Sequence, residues 1–129
     1  MFSRNMLSAS SEYLRLKHHH DHWHKHEHDH AIDDHGSERH QAMVELQKHL
    51  GQPGTTPYEI EHLMGSPTKI LDHPDATLLA ELKRNHENYE YPHDAEIWIY
   101  EWRGNHDYVY FIISKDRKVI QSAWYYSFE

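Results

Sequence analysis

The sequence predicts an α+β fold, with two or three helices packed on a three-stranded antiparallel β-meander and preceded by a disordered histidine-rich tail. Three observations carry this expectation. A fully capped helical signature ends at Gly65. Three runs of alternating aromatic and β-branched residues follow one another closely after Ala95. The stretch before Ser37 is polar, poor in aliphatic residues and strongly biased in composition.

Taken in order, residues 1–36 are expected to form the tail, because such a segment buries too little apolar surface to offset its ordering entropy. A short helix over 12–17 is allowed by Tyr13, Leu14 and Leu16. A compact domain is expected over 37–129. Its first helix is predicted from Glu38 to Leu50, with Ser37 as N-cap, Met43, Leu46 and Leu50 on one face, and Gly51 and Pro53 as the stop. The second carries Thr56 at the N-cap, Pro57 at the first helical position and Glu59 at the third, a capping box joined to an N1 proline. Its buried face is Ile60, Leu63 and Met64; Gly65 ends it and Pro67 prevents its resumption. A third short helix over 74–83 would bury Leu78, Leu79 and Leu82. The run AEIWIYEW then sets Ile97 and Ile99 on one face and Trp98, Tyr100 and Trp102 on the other. Gly104-Asn105 signals a tight turn into DYVYFIIS, and the polar turn KDRK leads into VIQSAWYYSF. Connections this short imply antiparallel neighbours. The helices are expected on one face, leaving the other to show aromatic side chains to solvent, to the tail or to a partner.

Composition limits the function classes. The chain of 129 residues has a formal charge of −8 from 13 basic and 21 acidic residues. That balance disfavours nucleic-acid binding, which needs a basic patch. Sixteen histidines make the charge conditional on pH, since unperturbed imidazoles titrate near ~6.5. With no cysteine, disulfides and thiolate metal sites are excluded, which fits a reducing compartment. No apolar run approaches the roughly 20 residues of a membrane-spanning helix. The first residues lack the apolar block of a secretory signal, while Arg4, Arg15, Lys17 and nearby serines faintly resemble a mitochondrial presequence. The expected location is cytoplasmic, with the mitochondrion as the alternative.

The strongest chemical signal is HHHDHWHKHEHDH, which holds His18, His19, His20, His22, His24, His26, His28 and His30. Neutral imidazole is a ligand for zinc, copper and nickel. In an extended chain His22, His24, His26, His28 and His30 point to one side. In a helix His18, His22, His26 and His30 align at i, i+4. Asp21, Glu27, Asp29 and Asp33 supply further acceptors. So many interchangeable arrangements fit a sequestering or delivery segment better than a catalytic centre of fixed geometry. The competing expectations are a solvated repeat without a role, and a pH switch in which the protonated run docks on the acidic domain.

No nucleophile elbow, HExxH motif or phosphate-binding glycine loop is present, so an enzyme is not expected. His86, His93 and Asp94 share one predicted loop and are read as solvated. Trp98, Tyr100, Trp102, Trp124 and Tyr126 are candidates for a protein-binding face. The equal alternative divides the strand aromatics between core and cross-strand pairs. The strand ending in WYYSF is a candidate pairing edge if unprotected.

The order of these elements resembles the SmpA/OmlA (BamE-like) domain of small bacterial outer-membrane assembly lipoproteins. The residues carrying the resemblance are Thr56, Ile60, Met64, Gly65 and Pro67, then Trp98 and Tyr100, then the turn KDRKV. It covers 37–129 and implies a non-enzymatic interaction module. This chain lacks the family's lipidation cysteine and has a longer link between Pro67 and Trp98. The expected function is therefore a binding or adaptor module with a segment that loosely takes zinc, nickel or copper. The alternative is a structural subunit of a larger complex in which that segment is neutral.

Overall fold

The computed structural model describes residues 4–17, 38–85, 89–103 and 107–126. Among these are four helices, α1 (Arg4–Lys17), α2 (Glu38–Leu50), α3 (Pro57–Met64) and α4 (Ala76–Asn85). Four strands accompany them: β1 (Lys69–Leu71), β2 (Glu96–Arg103), β3 (Asp107–Ile113) and β4 (Val119–Tyr126). The strands form one antiparallel sheet in the order β1-β2-β3-β4. The α+β class holds, with one strand more than the sequence suggests.

The C-terminal meander follows from strict alternation. Trp98 pairs with Phe111 and Tyr100 with Val109, so these four side chains share a face. Ile97 pairs with Ile112 and Ile99 with Tyr110 on the opposite face. Helices cover both. Trp98, Tyr100, Trp102, Val109, Phe111 and Ile113 form one core with residues of α1, α2 and α3. Ile97, Ile99, Tyr108, Tyr110 and Ile112 form a second with Leu78 and Leu82 of α4. This corrects the expectation that every helix lies on one face. The strands are apolar on both sides, and such a sheet needs two covering layers.

α3 has the expected termini. Glu59 N–H donates to the Thr56 hydroxyl at 3.3 Å, and Thr56 N–H donates to the Glu59 carboxylate at 2.8 Å. Gly65 ends the helix at φ 75° and donates its N–H to the Glu61 carbonyl. Its own carbonyl accepts from the Tyr100 hydroxyl at 2.8 Å, which ties the helix end to β2. α2 buries Met43, Leu46 and Leu50 as expected, and lies close against β4. A Cβ on Gly51 would stand 2.6 Å from the Gln47 carbonyl oxygen and 2.9 Å from Ser122 Cβ, so only glycine fits there.

Two elements depart from expectation. Residues 4–17, assigned from composition to the tail, form α1 and enter the core through Met6, Ser10, Tyr13 and Leu16. These positions recur at helical spacing, which makes a narrow inward stripe on a segment that is polar on average. Buried Ser10 donates its hydroxyl to the Leu63 carbonyl at 2.6 Å, anchoring α1 to the last turn of α3. The expectation of disorder for the remaining tail residues, 1–3 and 18–36, lies outside the described residues. The second departure is β1, which pairs Lys69–Leu71 with Ile97–Ile99 of β2. The Thr68 side chain extends this pairing by accepting from Glu101 N–H at 3.0 Å.

Candidate functional site

The aromatic residues proposed to bind a partner do not form an exposed face. Trp98, Tyr100 and Trp102 are 4%, 0% and 1% exposed, because their side of the sheet lies beneath α1, α2 and α3. That corrects the expected exposure of these three. Trp124 and Tyr126 are half-buried at the rim of the same core.

These two join a corner that sequence reasoning missed, built around His40 in the first turn of α2. The His40 ring lies flat on Trp102, with centroids 4.4 Å apart and an interplanar angle of 17°. Trp124 approaches it edge-on at 5.3 Å. His40 Nε2 and the Tyr126 hydroxyl are 3.4 Å apart, the donor being set by the imidazole tautomer. Trp124 stacks on Tyr126 at 5.2 Å, and its indole N–H is buried with no acceptor among the described residues. The alternation of Trp124 and Tyr126 foretold their shared face, but nothing local to His40 revealed that α2 would deliver it there.

A second polar feature is a cleft of about 630 Å³ beside the start of β2, lined by Asp72, His73, Tyr91, His93, Asp94 and Glu96. Asp94 holds a left-handed backbone at φ 60°, which Asp tolerates better than most residues. The Tyr91 hydroxyl donates to the Ala95 carbonyl at 2.7 Å. Burial, reinforced by Tyr89, Asp72 and Glu96, pushes the Tyr91 phenol up to about 12, so it stays a neutral donor at ordinary pH. The Arg117 guanidinium, 2.7 Å from Glu96, holds that carboxyl below the usual carboxylate range, and the Trp98 indole N–H assists at 3.2 Å. His93 pairs with Asp94 at 3.2 Å but is largely exposed.

No group of three His, Asp or Glu side chains among the described residues is placed to share a metal ion. In the cleft, Glu96 is already committed to Arg117 and the Tyr91 proton to a backbone carbonyl. The proposed metal ligands His18, His19, His20, His22, His24, His26, His28 and His30 lie outside the described residues, as do His86 and His106. No described helix is long and apolar enough to cross a membrane.

Fold and site together define a small α+β protein with an aromatic corner and a polar cleft. No family model matches the chain, and no curated protein and no solved structure matches it.

Proposed function

We propose that the protein is a non-enzymatic binding module whose histidine-rich residues between α1 and α2 take a transition metal of the zinc type. The observation supporting this most directly is that α1 is a packed core element. The run His18–His30 therefore falls in the sequence between two helices of the folded body, one ending at Lys17 and the next starting at Glu38. A chain whose two ends are already held together loses less freedom in closing around an ion than a free tail does. Imidazoles at many equivalent spacings suit capture and release, and nickel or copper would compete with zinc for them. The resemblance to the SmpA/OmlA domain agrees with a non-enzymatic role. Its shared positions are structural here: Thr56 and Gly65 cap α3, while Ile60, Met64, Trp98 and Tyr100 are buried.

Zinc titration by calorimetry tests the reading on the full chain and on a variant with the eight histidines from His18 to His30 replaced by Asn. The full chain is expected to bind zinc, and to release it as pH falls below ~6 and the ligands protonate. The variant is expected to lose that binding while keeping its circular dichroism. Equal stoichiometry in the two proteins would overturn the proposal. Truncation to residue 37 is unsuitable, because it also removes α1 from the core.

A further inference from the structure

The strand order leaves β4 at one edge of the sheet. An edge strand turns the N–H and C=O groups of alternate residues away from its neighbour. At the start of β4 these groups are satisfied: Val119 N–H donates to the Thr55 carbonyl at 2.7 Å, and its carbonyl accepts from Gly54 N–H at 2.9 Å. From Ile120 to Tyr125 the outward groups have no backbone partner among the described residues.

The usual edge defences are missing along this stretch. From Val119 through Phe128 the sequence contains no Asp, Glu, Lys, Arg, His or Pro. The register shift on β4 lies at its start, and from Gln121 to Tyr126 the pairing with β3 is unbroken. The opposite edge, β1, is three residues long and carries Lys69, which stands 3.8 Å from Glu101. The flank of β4 is apolar as well. On α2, His40 and Gln47 reach Tyr126 and Ser122, and Val44 lies between them on the same side of the helix. Val44 and Ile120 are 40% and 42% exposed.

We infer that β4 is the interface for a second copy of this chain, the two strands pairing antiparallel to extend the sheet across a two-fold axis. Charge selects this occupant. Two molecules of net charge −8 repel over most contacts, and the β4 edge is a long stretch where no carboxylate opposes another. A neutral edge offers no attraction to a basic peptide. Pairing centred on Ala123 sets Gln121 opposite Tyr125 of the second copy, and Ser122 opposite Trp124, all uncharged. The two-fold axis stands perpendicular to the sheet, so the α2 helices of both copies lie on the same side with their Val44 flanks facing. The interface is isologous and closed.

Sedimentation equilibrium with a chelator present, so that histidine-bound metal bridges no molecules, is expected to give twice the chain mass of 15.6 kDa. In the same buffer, amide exchange at alternate residues from Ile120 to Tyr125 slows as protein concentration rises. The double variant Val44→Glu, Ile120→Glu changes only exposed side chains and keeps the fold. It is expected to raise the dimer dissociation constant at least about tenfold. A monomer at every concentration, with these amides unprotected, overturns the inference and leaves the edge to an extended strand of another protein. A dimer indifferent to the double variant overturns it too, placing the contact elsewhere.

Discussion

Trp98 lies against the α-helical layer, is 4% exposed and spends its indole N–H on Glu96. Trp98→Ala is expected to cost about 3–5 kcal/mol of stability, as measured by denaturant titration, because it opens a core cavity. Its effect on any partner would thus report unfolding. Glu96 gives a pH signature. Its folded carboxyl titrates below the unfolded value, so the Arg117 pair contributes above that unfolded value and is lost as pH falls through the folded one. The pair is partly exposed, so the contribution stays under about 1 kcal/mol. Arg117→Ala should move the Glu96 titration, followed by NMR, back toward the ordinary carboxylate range. At the alkaline end the sign reverses. Burial pushes Tyr91 and Tyr110 up to about 12, so their contribution is complete below the unfolded value of 10 and lost as pH rises toward 12. Absorbance at alkaline pH should show these phenols ionising late, together with loss of structure. Alternation placed Trp98 on its face in the sequence, whereas Tyr91 and Arg117 fall in segments read as a loop and a turn. Which face would be covered was not legible, since both are equally apolar.

Among the elements, α3 was the most readable, because Thr56, Pro57, Glu59 and Gly65 specify both ends locally. Thr56→Ala should cost about 1 kcal/mol through loss of the cap. α1 was hidden by its own surroundings: its inward stripe is narrow, and the polar average of the segment masks it. Ser10→Ala tests the anchoring role of α1. It removes the donor to the Leu63 carbonyl in a buried setting, and a loss of about 1–3 kcal/mol is expected in thermal or urea unfolding. β1 escaped notice because three residues, two of them exposed, carry too little alternation to read. It exists because β2 offers a partner, and only tertiary structure reveals that.

At the scale of the molecule, the described residues make the sheet an unequal sandwich. Three helices press on one side, while the other is held chiefly by Leu78 and Leu82 of α4, with Tyr89 and Tyr91 packed at the margin. Of the candidate sites, the histidine run proposed to take metal stood out from composition alone. The His40 corner was not, because it joins residues from α2, β2 and β4 that are remote in sequence. The imbalance between the layers has a consequence for how the molecule comes apart. The thin side should let go first, in a local opening that leaves the thick side intact. Lys83 and Arg84 sit exposed in the last turn of α4. Trypsin under native conditions should therefore nick there before anywhere in α2 or α3, leaving two fragments that stay associated until denaturant parts them.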